Sequence, residues 1–294
     1  MNNFISFKNP IKKVAAIHDL SGFGRSALSV VIPILSTMKL QVCSLPTAVL
    51  SSETSGFEEY SFIDLTEYMV SHIEHWKKIY LEFDCIYSGF LGSPKQVEII
   101  KNFIKDFKKE KTIVVVDPVM GDNGDLYSSV RSNMIEEMRK LIESANIITP
   151  NYTEACFLLG EKYDKTNDEK EIKAKLVKLS NLGPEIVVIT SVPVSEKVTS
   201  VVAYNKITKK FWKVECDYIP VNFPGTGDSF TSVLTGSILN GESLPVALDK
   251  AVQFINNAIK ESIGFDYDYR EGVLLEKILS NLKYPVLFSN YKNF

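Results

Sequence analysis

Residues 13–35 read KVAAIHDLSGFGRSALSVVIPIL, and the fold class is read outward from this stretch. Val14 to Ile17 is a short apolar run of strand type. A glycine turn follows, and then Leu28, Val31, Ile32 and Leu35 recur at i, i+3, i+4 and i+7, the stripe of an amphipathic helix. The same alternation continues down the chain. Val42 to Leu45 predicts a second strand, and Leu65, Met69, His72, Ile73 and Trp76 trace one helical face. Strand runs recur at Cys85 to Tyr87, Ile113 to Val116, Ile147 to Ile148 and Ile186 to Ile189. Val198 to Tyr204 and Phe211 to Cys216 flank a short polar segment and predict a hairpin. From Asp228 the pattern is helical almost to the end, with stripes at Phe230, Val233, Leu234 and Ile238 and at Leu275, Ile278, Leu279 and Leu282. Strands alternating with helices predict an α/β fold with a mostly parallel sheet covered by helices on both faces. No repeat or Gly/Ser/Pro-rich linker cuts the chain, so residues 1–294 are expected to form one domain, with 1–11 an N-terminal extension.

The chain has 294 residues, 45% of them hydrophobic and 23% charged, which excludes a disordered or collagen-like polymer. With 33 Lys+Arg against 36 Asp+Glu and no long run of either sign, no basic face for nucleic acid or a membrane surface is expected. The apolar runs are strand-sized, far short of the roughly 20 residues that span a bilayer. MNNFISFKNPIKK lacks the apolar segment and cleavage site of a secretory signal, so a cytoplasmic protein is expected. Cys43, Cys85, Cys156 and Cys216 form no CxxC pair and read as reduced thiols.

Several motifs carry chemistry. Gly22-Phe23-Gly24-Arg25-Ser26-Ala27 fits G-x-G-x-x-A between a strand and a helix, the pattern of a dinucleotide site. That reading also needs an acid at the end of the second strand, where this chain has Ser44-Leu45-Pro46-Thr47 and no acid before Glu53. A nicotinamide oxidoreductase therefore loses its second anchor. Pro224-Gly225-Thr226-Gly227-Asp228 opens a strongly periodic helix. Its N–H groups suit an anion, and Asp228 suits a base that takes a hydroxyl proton; ordinary helix capping is the competing explanation. Asp117 ends a very apolar strand, where a carboxylate suits magnesium and nucleotide phosphates. Thr149-Pro150-Asn151-Tyr152-Thr153-Glu154 follows the next strand, either as a second acidic site or as a capping box. Thr190-Ser191 follows the one after. Polar groups at successive strand ends describe one crevice. There is no GxxxxGK[ST] P-loop and no GxSxG elbow, and His18, His72 and His75 make no metal site.

Six segments, in order, resemble the pyridoxal/pyridoxamine (vitamin B6) kinases of the ribokinase superfamily, bacterial pyridoxamine kinases above all. They begin at His18-Asp-Leu-Ser-Gly-Phe-Gly-Arg25, Leu45-Pro-Thr-Ala-Val-Leu-Ser51, Tyr87-Ser-Gly-Phe-Leu-Gly-Ser93, Asp117-Pro-Val-Met-Gly-Asp122, Thr149-Pro-Asn-Tyr-Thr-Glu154 and Gly225-Thr-Gly-Asp228. The resemblance covers about residues 12 to 283. It implies ATP-dependent phosphorylation of the 5′-hydroxymethyl group of a B6 vitamer, with Asp228 as the base and Gly225, Thr226 and Gly227 as the anion hole. It implies that Ser21 and Thr47 hold the pyridine ring and that Asp117, Asn151, Glu154, Thr190, Ser191 and Thr226 contact the nucleotide. By the same resemblance the fold is a ribokinase-like (Rossmann-like) three-layer αβα sandwich with a mostly parallel central sheet, assembled as a homodimer. It also implies that Asp117 and Glu154 serve Mg2+ and that Asp122 and Thr149 serve a monovalent cation such as K+.

A hydroxymethylpyrimidine kinase of the same superfamily is the nearest alternative. A non-catalytic B6-binding protein is another, though binding alone does not need a base at Asp228. One departure stands out: after Leu50, similar kinases read Ser-Asn-His-Thr or Ser-Thr-His-Thr, whereas this chain has Ser51-Ser52-Glu53-Thr54. An ionised glutamate is an acceptor only, so Glu53 is expected to tilt preference toward an amine-bearing ring such as pyridoxamine, or simply to weaken binding. Glu53→His should lower the pyridoxamine-to-pyridoxal ratio of kcat/KM, and an unchanged ratio removes the argument.

Overall fold

The computed structural model describes residues 9–54, 56–57, 59–164, 168–286 and 288–294. Its strands are β1 (Lys13–Ser21), β2 (Gln41–Leu50), β3 (Phe62–Asp64), β4 (Cys85–Ser88), β5 (Ile113–Val116), β6 (Gly121–Asp122), β7 (Asp125–Leu126), β8 (Ile147–Ile148), β9 (Ile186–Ser195), β10 (Val198–Asn205), β11 (Lys210–Asp217) and β12 (Lys292–Asn293). Its helices are α1 (Leu28–Thr37), α2 (Thr66–Lys78), α3 (Pro94–Phe107), α4 (Met134–Ile142), α5 (Tyr152–Leu159), α6 (Glu169–Asn181), α7 (Thr226–Leu239), α8 (Leu244–Ser262) and α9 (Leu275–Ile278).

Ten strands form one sheet in the order β12-β11-β10-β9-β8-β5-β4-β1-β2-β3, and β6 and β7 pair separately. The six central strands from β9 to β2 run parallel, while β10, β11 and β12 on one side and β3 on the other join antiparallel. The pleat of β1 shows how the layers are made. Successive side chains point to opposite faces. Ala15 and Ile17 therefore pack with α2 to α6, and Val14 and Ala16 pack with α1 and the end of α7. On the first face an aromatic block of Trp76, Phe83, Phe103 and Phe107 seals α2 against α3. On the second, α1, α7, α8 and α9 share a core with the hairpin β10–β11. The three-layer αβα expectation holds.

Two differences from the sequence reading have physical causes. First, β1 and β2 run on to Ser21 and Leu50, past Pro46. Pro46 lies opposite His18, and the register slips between His18 and Leu20. A proline lacks the ladder N–H and is tolerated at such a bulge, which also re-aims the neighbouring side chains. Second, β9 runs from Ile186 to Ser195, held along its length by the antiparallel β10, so Thr190 and Ser191 lie within it and not after it; beyond the C-terminal helices Lys292–Asn293 also adds an outer strand to β11. The four cysteines are unpaired, as expected. Among the described residues, no helix is long and apolar enough to cross a membrane.

Candidate active site

From β1 the chain steps outward to β2, then returns to place β4 on the other side of β1. In an open parallel sheet such a reversal leaves a crevice at the carboxyl ends of the strands. A cavity of about 480 Å3 lies there, bounded by Ser21 at the end of β1, Phe90 after β4, Asp117 after β5, Thr149 after β8 and Thr190 in β9. The opposite wall is the start of α7, Gly225 to Asp228. All the sequence-predicted site residues line this crevice except Thr47. Thr47 is fully buried, and its hydroxyl donates to the Phe90 carbonyl at 3.3 Å, so it supports the wall from behind.

The wall at α7 is built by close approach of backbones. Gly225 caps the helix with a left-handed φ of 75°, and a Cβ there would come within 2.0 Å of the Arg25 carbonyl oxygen. Its own carbonyl accepts the Ser229 N–H at 2.9 Å and the Ser229 hydroxyl at 2.7 Å, which pins the first turn. Gly227 has nothing within 4 Å of where a Cβ would sit. The first-turn N–H groups have no partner within the helix and carry the positive end of its dipole.

Asp228 stands in that turn with its side chain 17% exposed. Its Oδ2 accepts the Ala27 N–H at 2.9 Å. This contact disposes of the dinucleotide alternative: the start of α1, where a pyrophosphate would lie, is filled by the protein's own carboxylate. Ala27 holds this position at φ 48°, and Asn123 (φ 52°) and Ser191 (φ 56°) are two further left-handed non-glycine residues on the lining.

Asp117 is buried at the end of β5, and its Oδ2 accepts the Thr231 hydroxyl, which also bonds Thr149. Burial, and then the charges of Glu154 and Asp228, push its carboxyl well above the usual carboxylate range. Glu154 and Asn151 form the capping box of α5: each side chain accepts the other's backbone N–H, at 2.8 and 2.9 Å. The structure extends that box into a clamp. Oε1 of Glu154 also accepts the Met120 N–H, and the Asn151 amide donates to the Gly121 carbonyl, so the loop after β5 is held from α5. Burial raises the Glu154 carboxyl, and these backbone donors only partly offset it. Asp122 accepts the backbone and side-chain N–H groups of Asn123.

The profile of the phosphomethylpyrimidine kinase family matches residues 32–271. The chain belongs to that family. A family member from Bacteroides thetaiotaomicron, assigned as a phosphomethylpyrimidine kinase and solved with pyridoxal, is 52% identical with a TM-score of 0.94, covering 97% of this chain and 100% of that one. The pyridoxal kinase of Lactobacillus plantarum is 30% identical, with a TM-score of 0.85, and the match covers 92% of this chain and 96% of that one. The pyridoxal kinase of Dictyostelium discoideum is 30% identical over 60% of this chain, and the match spans 61% of that protein, under two thirds of its length.

Within this kinase-family crevice, sequence reasoning passed over Asp19, Tyr127 and Thr231, and His18 behind the wall. Thr231 lies one helical turn after Asp228, and that i, i+3 spacing is the signal that would have found it. Asp19 is exposed to the crevice only through the bulge in β1. Burial, and then the charge of Asp228, push its carboxyl up to about 6. The lining has six carboxylates, those of Asp19, Glu53, Asp117, Asp122, Glu154 and Asp228, and among the described residues no Lys, Arg or His.

The two glycines at α7 should respond differently. Gly225→Ala meets a backbone oxygen and a left-handed φ, so it should cost soluble, folded protein or several degrees of Tm. Gly227→Ala should keep its Tm and raise KM for ATP, because its methyl fills the space beside the N–H groups. For Asp19, the native carboxyl binds its proton more tightly than the unfolded one, so it lowers stability as pH rises from about 4 to about 6. Asp19→Asn should therefore raise stability by about 3 kcal/mol at pH 7.5 and by little at pH 4, as read by denaturant unfolding at the two pH values.

Proposed function

We propose that this protein transfers the γ-phosphoryl group of ATP to the 5′-hydroxymethyl group of a B6 vitamer, giving the 5′-phosphate and ADP. The observation that carries this reading is Asp228 in the first turn of α7, turned toward a crevice bounded by its own glycine-rich wall and the polar ends of β5, β8 and β9. In this reading Asp228 accepts the hydroxyl proton as the oxygen attacks phosphorus, and the bond from phosphorus to the departing ADP oxygen breaks. The N–H groups of Gly225 to Asp228 stabilise charge on the transferring group. Ser21 and Glu53 lie at the β1–β2 end, where the vitamer ring is assigned, with Thr47 acting from behind through Phe90. Asn151, Thr190, Ser191 and Thr226 are assigned to the nucleotide. The pyridoxal-bound relative at 52% identity supports the vitamer over other alcohols.

The donor set fits magnesium brought with ATP. The lining is rich in carboxylates and, among the described residues, has no Lys, Arg or His, so an incoming triphosphate is best matched by a cation that accompanies it. Among the described residues, no three His, Cys, Asp or Glu side chains converge as an all-protein metal cage. Magnesium characteristically keeps waters and binds through one or two carboxylates plus substrate phosphates. Asp117 and Glu154 would hold it there, where it would neutralise charge on the phosphates. The monovalent ion assigned to Asp122 and Thr149 has weaker grounds, because Asp122 is taken by Asn123 and Thr149 by Thr231.

We further take residues 1–294 as one kinase domain, supported by one sheet that reaches from Lys13 to Asn293; residues 1–8 of the extension lie outside the described residues. Homodimeric assembly and a cytoplasmic setting come with the family resemblance. A second reading, hydroxymethylpyrimidine as the acceptor, is favoured by the family's description. Purified protein offered ATP with pyridoxal, pyridoxine, pyridoxamine or hydroxymethylpyrimidine should consume ATP fastest with a B6 vitamer. Turnover of the pyrimidine alone selects the second reading, and turnover of none sinks both. In the same assay Asp228→Asn should lower kcat by about 10²–10⁴, the usual range for removal of a general base.

A further inference from the structure

His18 is a titratable group beside this crevice that the proposed reaction leaves unused. It is fully buried, and neither ring nitrogen has a hydrogen-bond partner. An unpaired buried polar group costs free energy, so its retention calls for a physical reason. Counting along the pleat, His18 shares a face with Val14 and Ala16, the face covered by α1 and α7. Its Nδ1 lies 3.5 Å from Oδ1 of Asp228. The other oxygen of that carboxylate, Oδ2, already accepts the Ala27 N–H.

The imidazole is held where it is. Its ring meets Tyr87 edge to face, with centroids 4.4 Å apart, and the Tyr87 hydroxyl reaches the Asp228 backbone carbonyl at 3.3 Å. Gly89 leaves the space for it, since a Cβ at that position would come within 2.3 Å of Nδ1. The register slip in β1 falls immediately after His18 and sets its angle to α7.

We propose that His18 is the positioning residue of Asp228, its Nδ1–H holding Oδ1 of that carboxylate from the sheet side while Ala27 holds Oδ2. The inference rests on the reading of Asp228 as the base. With one donor at each oxygen the carboxylate cannot rotate, and its remaining lone pairs face the crevice. Hydrogen bonds of this kind are often long in an empty site and tighten when substrate closes it. The titratable groups that face His18 are Asp228 from α7, Tyr87 from β4 and its own neighbour Asp19 on β1; Asp117, after β5, acts on Tyr87.

Two measurements test it. The chain has three histidines, His18, His72 and His75, so ring 15N spectra are simple to assign with single variants of His72 and His75. His18 should show the Nδ1–H tautomer in the wild type and lose that signature in Asp228→Ala. An unchanged His18 spectrum overturns the contact whether or not any vitamer is phosphorylated, so failure here is distinct from failure of the kinase reading. In the ATP assay, a displaced base can cost about 10²-fold. His18→Leu should lower kcat by that order with KM for ATP within about twofold, and His18→Asn, which keeps an amide near the Nδ1 position, should recover about tenfold of it. In an Asp228→Asn background His18→Leu should have no further effect on kcat. A further loss there, or an effect confined to KM, assigns His18 to packing and overturns the proposal. If the His18 variants do not fold, the spectra of the unaltered histidine decide.

Discussion

The 2.9 Å hydrogen bond from the Ala27 N–H to Asp228 joins the chain's first βα unit to the helix that opens 200 residues later. Most of the site depends on it. It brings the starts of α1 and α7 together across the crevice mouth, and this explains why Gly225 must lie against the Arg25 carbonyl. It also makes Asp228 serve two purposes, satisfying one helix terminus while standing in the first turn of another.

The second organising constraint is electrostatic. Strand ends and a bulge bring six carboxylates to one cavity with no basic side chain on the described lining. Backbone donors stabilise some of them: Glu154 takes the Asn151 and Met120 N–H groups, and Asp122 takes that of Asn123. Asp117 has a hydroxyl in place of a backbone donor, and burial raises it well above the usual range. The crevice thus gathers acids that backbone donors satisfy unequally, with Asp117 the most dependent on hydroxyl contacts.

Much of this was legible from local pattern. The run Ile113 to Val116 appears unaltered as β5, the Asn151 to Glu154 spacing is a true capping box, and Asp117, Thr149 and Thr190 do share a crevice, although Thr190 and Ser191 lie within β9 and not after it. Periodicity reports which residues form an element, and the C-terminal end of a parallel strand is a place that fold class alone identifies. The parts that were not legible depend on pairing between distant segments. The shift between His18 and Leu20 is a property of β1 against β2, so nothing in the local run reveals that Asp19 faces the crevice or that His18 backs onto Asp228. β12 likewise exists only because β11 offers it an edge. Thr47 matches its motif, yet lies behind Phe90 because β2 continues past Pro46.

Ala27, Asn123 and Ser191 share a backbone region that side chains seldom occupy, and all three line the cavity. Residues held this way carry strain of about 1–3 kcal/mol each, sustained by the structure around them. Heat resistance and the shape of the cavity are thus set against each other in this protein. Substitutions that relax the three backbones would harden the fold while loosening the walls that aim its polar groups, so a variant selected only for endurance at high temperature would drift first at these positions.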